Sequence, residues 1–221
     1  MKFSKNTLNI LKNYASINPS IFFKKGNLLR TLNKGKTILV EATIDETVPA
    51  DFGVQDLNQL LSILSIDSAP ELSLHKNDVV VSGFGGRSKI TYRCCDSSMM
   101  KTPPEKNIEL PSQDASFLLT EPDLAWVLKT ASILGSPNIA LIGTGGQMAL
   151  RTLDVHDNSA HTDTLTVGPW IGEDFEFIFK TENWKLLPGT YAVTLSNGGA
   201  AHFQNQERKL QYWIATETKT K

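Results

Sequence analysis

The sequence predicts an α+β protein built from two similar domains, and three observations carry that expectation. Each half of the 221 residues runs through one order of elements: a long amphipathic helix, several strands, a short helix and three more strands. The halves share this order but little residue identity, and a repeat of roughly 110 residues lies above the usual solenoid periods. Between them, residues 96–113 hold Pro103, Pro104 and Pro111 and show no hydrophobic period, so this stretch reads as a connector. Charge divides near the same line. Residues 1–108 carry 14 Lys/Arg and 10 Asp/Glu, residues 109–221 carry 8 and 13, and the formal net charge is −1. The expected domains are 1–108, with the connector at about 96–113, and 114–221.

In the first half, SKNTLNILKNY opens a helix with Ser4 as its N-cap and Pro19 beyond its end. At about 100° per residue, Leu8, Leu11 and Ala15 share one face, with Tyr14 at its margin. Lys2, Lys5, Asn9, Lys12, Asn13 and Ser16 fall on the opposite arc. Strands follow, broken by turns at Lys25-Gly26-Asn27 and Lys34-Gly35-Lys36. Asp56 caps a short helix that buries Leu57, Leu60, Leu61 and Leu64. The segments ELSLHKNDVVVSGF and SKITYRCC supply a strand pair and a final strand.

In the second half, SFLLT is a strand and EPDLAWVLKTASILG a helix. Pro122 sits where its missing donor is harmless, and Gly135 acts as the stop. Leu124, Val127, Leu128, Ala131 and Leu134 form its apolar face. NIALIGTGGQMALRTL is a hairpin, HTDTLTVGP and DFEFIFK are strands, and TENWKLL is expected as a short helix. Three strands turning at Asn197-Gly198 and Asn205-Gln206 complete the half.

No apolar run approaches the roughly 20 residues that span a bilayer, and lysines and asparagines interrupt the N-terminal segment where a signal peptide would be apolar. The two cysteines, Cys94 and Cys95, are neighbours, which fits a reducing cytoplasm. GFGGRS at 83–88 and IGTGG at 142–146 look like phosphate loops, but each precedes a strand rather than a helix, so both read as turns. Asp154, His156, Asp157, His161 and Asp163 offer a possible metal cluster on a polar loop without helical His spacing or Cys ligands. No nucleophile, base and oxyanion site assemble. No catalytic residue, metal or cofactor is therefore expected. An acidic half confines any polyanion contact to a local patch.

MKFSKNTLNILKNYASIN at the start, DLNQLLSILS at 56–65, RSKITY at 87–92, EPDLAWVLKTASIL and WKLLPGTY at 184–191 resemble, in the same order, the sliding clamps of T-even-type bacteriophages. The resemblance implies a DNA polymerase processivity factor with the DNA clamp fold. Two clamp-type domains per chain would pack helices on antiparallel sheets, and a homotrimer would close into a ring around double-stranded DNA. It implies a replicative polymerase as partner, an ATP-driven clamp loader, and a platform for late transcription in the cytoplasm of an infected bacterium.

On this reading Lys2, Lys5, Lys12, Lys129 and Lys185 face DNA without reading bases. Sparse lysines suit sliding, since each neutralised phosphate adds salt-dependent affinity. The subunit seam is expected between the edge strands at 88–94 and 161–167, with Ile90 and Tyr92 opposite Leu165 and Val167. A pocket for polymerase or loader tails is expected where the connector crosses the second domain, at Met99, Met100, Ile108 and Leu110. Two alternatives stand beside it: a small metal-dependent enzyme acting on DNA through Asp154, His156 and His161, and a monomeric DNA-binding scaffold.

Overall fold

The structure is a computed structural model and describes residues 1–106 and 108–217. The chain divides into two compact units, Met1–Asn107 and Ile108–Lys221.

Unit 1 begins with α1 (Lys5–Ile17). Ser4 caps it, its hydroxyl accepting from the Thr7 amide at 3.1 Å. The buried face is Thr7, Ile10, Leu11, Tyr14 and Ile17, rotated from the expected stripe. Leu8 and Ala15 are only half-buried. Tyr14 turns the helix, because its hydroxyl reaches the Leu29 carbonyl at 3.1 Å and its ring goes fully into the core. Strands β1 (Ile21–Phe23), β2 (Gly26–Leu32), β3 (Ile38–Val48) and β4 (Phe52–Val54) follow. β2 pairs with β3 through the expected 34–36 turn, and β1 pairs with β4 rather than with its neighbour β2. Helix α2 (Leu57–Leu64), capped by Asp56, packs beside α1 and buries Leu57, Leu60 and Leu64. β5 (Glu71–Leu74), β6 (Asp78–Gly83) and β7 (Ser88–Arg93) make an antiparallel sheet in that order.

Unit 2 starts with β8 (Ala115–Leu119) and α3 (Glu121–Leu134), which ends on Gly135 at φ 65°. α3 lies over β9 (Asn138–Thr144), β10 (Gln147–Leu153) and β11 (Asp163–Pro169). With β12 (Phe175–Lys180) these strands form a sheet in the order β11-β10-β9-β12. β13 (Tyr191–Ser196), β14 (Ala200–Asn205) and β15 (Leu210–Ala215) pair in sequence, and β13 also pairs with β8.

The expected helix over TENWKLL does not form. Only Thr181–Asn183 makes a single 3-10 turn. Trp184 is instead buried edge-on between Phe179 and Phe203. The Leu187 amide donates to the Tyr212 hydroxyl, and its carbonyl accepts from the Tyr191 hydroxyl at 2.6 Å. Pro188 also disfavours helical backbone at Leu187. Burial pushes the Tyr191 phenol up to about 12, so it remains a donor at any physiological pH.

Candidate nucleic-acid interface

Helix α1 presents an arc of Lys5, Asn9, Lys12 and Ser16 to solvent. Lys5 and Lys12 are two turns apart, about 10 Å along one stripe. The first turn of α1 contains no acidic residue. The helix start is held from β3, where Glu46 accepts the Thr7 hydroxyl at 2.6 Å and also the Ser4 amide. Partial burial acts to raise the Glu46 carboxyl, but these hydrogen bonds outweigh it and hold the group below its ordinary range. The neighbouring Asp45 is exposed and accepts the Ser4 hydroxyl at 3.2 Å, so both carboxylates at the helix start come from β3. Lys2 precedes the helix and pairs with Glu71 at 3.3 Å.

Helix α2 exposes Asn58, Gln59 and Ser62, all uncharged. Helix α3 exposes Ala125, Trp126, Lys129, Ser132 and Ile133. Lys129 is its lone exposed cation. Trp126, 53% exposed, is fixed by its indole N–H, which donates to Asp163 at the head of β11 at 2.9 Å. No sequence pattern signalled that bond, because the partners are 37 residues apart on different elements. Lys185 is half-buried between the core residues Trp184 and Leu186, in the segment that replaces the expected helix. It does not join a helical cation stripe.

The two seam candidates lie on sheet edges. Among the described residues, β7 pairs only with β6, and β11 only with β10. Ile90, Leu165 and Val167 are half-buried. Tyr92 departs from expectation: it is 7% exposed and packs inside its own unit. Its hydroxyl meets both the amide and the carbonyl of Asp56 at 3.1 Å, and burial pushes the phenol up. It has little fresh area to give to a neighbour.

The connector also differs from expectation. Its first part is strapped to unit 1. The Cys95 amide donates to Gly53, and Met100 Sδ lies 3.3 Å from Cys95 Sγ. A Cβ on Gly53 would fall 2.4 Å from the Cys95 carbonyl oxygen, so glycine is required for this approach. Arg30 donates to the carbonyls of Pro104 and Glu105 at 3.0 and 2.8 Å, and Lys24 pairs with Glu105.

A groove of about 300 Å³ lies between this strap and β2, lined by Phe22, Leu28, Pro103 and Pro104 among others. None of Met100, Ile108 and Leu110 lines it: Met100 seals the Gly53 contact, and Ile108 and Leu110 are half-buried at the start of unit 2. The Met99 side chain lies outside the described residues. Arg30 and Lys24 were missed because their partners are backbone carbonyls and a linker carboxylate, which no local motif marks.

Burial pushes both cysteine thiols up, the reverse of what thiolate chemistry needs. In the 154–163 loop the carboxylates serve the turns. Asp154 accepts the His156 amide at 2.8 Å, and Asp157 accepts the Ser159 hydroxyl and amide at 2.6 and 2.9 Å. Among the described residues no group of three His, Cys, Asp or Glu is placed to hold a metal ion. The two glycine loops are hairpin turns, β6–β7 and β9–β10.

Two family models match the chain. The DNA polymerase processivity factor model covers residues 3–101, and the C-terminal domain of the gp45 sliding clamp covers residues 116–218. The sliding clamp of Vibrio phage KVP40 is 32% identical over 223 residues, spanning 98% of this chain and 99% of its own. The sliding clamp of Enterobacteria phage T4 is 31% identical over 224 residues, with 98% and 97% covered. Archaeoglobal PCNA (A. fulgidus), solved with the C-terminal region of FEN-1 bound, superposes with a TM-score of 0.71 at 13% identity, over 100% of both chains. At that identity the likeness speaks to the fold alone.

Proposed function

The chain belongs to the phage sliding-clamp family, and from that premise, with its role as a processivity factor that tethers DNA polymerase, we propose that it works as a closed homotrimeric ring around double-stranded DNA. The observation that carries the ring reading is the pair of one-sided edge strands, β7 in unit 1 and β11 in unit 2. An edge left unpaired invites aggregation, and a head-to-tail contact that closes removes it. Ile90 on β7 and Leu165 and Val167 on β11 supply the side chains for that seam, with Tyr92 reinforcing β7 from inside.

Within the ring, Lys5, Lys12 and Lys129 contact phosphates loosely, Lys2 and Lys185 contributing less because of their placement. Contact of this kind carries no base information and leaves the clamp free to slide. The protein performs no chemistry of its own. An ATP-driven loader opens the ring at primer–template junctions, the polymerase tail docks on it, and late-transcription factors use the same platform in the cytoplasm of the infected bacterium. PCNA of A. fulgidus binds the C-terminal region of FEN-1, and tail docking is the equivalent event proposed for this chain. The groove beneath the connector strap on unit 1 supports a docking place there better than Met100, Ile108 and Leu110 do; Met99 lies outside the residues whose side chains are described.

Native mass and retention on DNA test the reading. A trimer held on closed circular DNA, and lost from linear DNA through its free ends, is expected. Equal retention on circles and on linear DNA would mean that affinity rather than encirclement holds the protein, and a monomer at all concentrations would end the ring proposal.

A further inference from the structure

We propose that the contact between neighbouring copies runs past the β7–β11 ladder into a second patch, where the Phe84–Arg87 turn of one copy packs against the Trp170–Asp174 loop of the next. The proposal rests on the ring reading above and goes beyond it. It names a further interaction surface, its partner (a second copy of this chain) and the direction of the strands.

Each of the two segments carries an exposed large apolar side chain. Ile171 is 96% exposed and Phe84 is 66% exposed. Isolated exposed apolar residues are ordinary. These two are unusual because each is held out by a built turn at the end of an edge strand. Phe84 precedes β7 and has φ 53°, a left-handed conformation that a bulky residue seldom adopts without compensation. Its amide is bonded to Asp67 at 2.6 Å, and the Arg87 guanidinium covers its ring at 4.0 Å.

Ile171 follows β11. The Trp170 amide is tied to Gly146, its indole N–H donates to Glu173, and its ring lies so close over Gly172 that a Cβ there would fall 2.7 Å away. Thr144 holds Asp174 at 2.6 Å. The loop opens onto a hollow of about 600 Å³ in unit 2, with Phe175 and Phe177 in its wall.

The charges are complementary. Arg87 and Lys89 flank Phe84, and Glu173, Asp174 and Glu176 flank Ile171. Among the described residues neither Arg87 nor Glu173 has an ion-pair partner.

Topology then decides the pairing. If β7 and β11 meet antiparallel, the residues before Ser88 lie beside those after Pro169, and Phe84 reaches Ile171. If they meet parallel, the same turn faces residues 158–162, which are Asn, Ser, Ala, His and Thr with no large apolar side chain. Apolar and electrostatic complementarity both favour the antiparallel seam. Aromatic residues, Phe included, and Arg are both enriched at protein interfaces.

A photoreactive phenylalanine analogue at position 84 of the full-length chain tests this. Cross-links between copies that map to residues 170–174 are expected. Mapping to 158–162, or no cross-link in an assembled protein, overturns the proposal. In parallel, Arg87→Glu and Glu173→Arg should each weaken assembly about tenfold, and the double variant should recover most of it. Losses that simply add in the double variant would also overturn it. The ring reading fails separately: wild-type protein that stays monomeric ends both, whereas an assembled wild type that Ile90→Asp disperses, with no cross-link to 170–174, leaves the ladder standing and removes only this patch.

Discussion

Helix α1 starts without a carboxylate in its first turn, whereas α3 starts with Thr120, Glu121, Pro122 and Asp123. Both are long helices with a local side-chain cap, Ser4 and Thr120, yet only the second adds an acidic first turn. α3 is complete by itself: its cap, its acidic first turn and its Gly135 stop are all local. α1 takes its anionic partner from β3, where Glu46 satisfies Thr7 and Ser4 from behind. The result is a helix whose outward arc carries no carboxylate, its acidic partners Asp45 and Glu46 both coming from β3 to the N-terminal end. Such a helix suits a polyanion, and the price is dependence on a tertiary contact. Unit 2 does the opposite. It is net acidic, keeps one exposed lysine on α3, and fixes an indole three residues before it.

The largest expected effect separates the two edge strands. Tyr92→Asp would bury a charge inside unit 1 and break both contacts with Asp56. We expect a loss of about 3 kcal/mol or more, read as a fall in melting temperature before any change in mass. Val167→Asp sits on a half-buried edge. It should leave the melting of the separated chain within about 1 kcal/mol of wild type while shifting sedimentation toward monomer. A Tyr92→Asp protein that melts normally would place that side chain in the seam after all.

The capping contrast gives the next effect. Glu46→Ala orphans the Thr7 hydroxyl and the Ser4 amide and should cost about 2 kcal/mol. Thr120→Ala removes an ordinary cap and should cost about 1 kcal/mol. Both are read from denaturant midpoints at constant slope. The pH dependence sharpens the pair. The folded Glu46 carboxyl titrates below its unfolded value, so its contribution is complete above about pH 4.5 and is lost as pH falls through the lower folded value. Glu46→Gln should flatten the acid limb of the stability profile, and an unchanged limb would mean that other carboxylates set it.

Much of this was legible because the signals were local. Ser4, Asp56, Gly135 and the 34–36 turn mark their elements within three or four residues, and the succession of strands along each unit, though not which strand pairs with which, followed from its hydrophobic runs. What was hidden depended on distance along the chain. The face of α1 is set by Tyr14 meeting Leu29, and TENWKLL loses its helix to two tyrosine hydroxyls beyond residue 190. The connector looked like a free linker because Arg30, Lys24 and Gly53, which hold it, are 40 or more residues away. Edge strands could be guessed from order, but the built turns at Phe84 and Ile171 could not, since backbone strain and a ring over a glycine leave no periodic trace.

The smallest effect on stability should come with the clearest effect on function. Lys5, Lys12 and Lys129 are exposed, and replacing each by Ala should change folding by no more than about 0.5 kcal/mol. The triple variant should nevertheless load onto DNA more slowly and support shorter synthesis, most visibly at raised salt. Association with a polyanion is steered by such charges, and salt screens them. The loss should be the same on templates of any sequence, because phosphate contacts carry no base information.

The single variants test the asymmetry between the helices. Lys5→Ala and Lys12→Ala lie on one stripe of α1 and should each flatten the salt dependence by a similar step. Lys129→Ala, on a helix with an acidic first turn and three residues after Trp126, should do less. Once loaded, even the triple variant should remain on closed circles and leave linear DNA through its ends as fast as wild type. A triple variant that falls from circles would show that the lysines hold the clamp, and an Lys129→Ala effect equal to those on α1 would erase the distinction between the two helices.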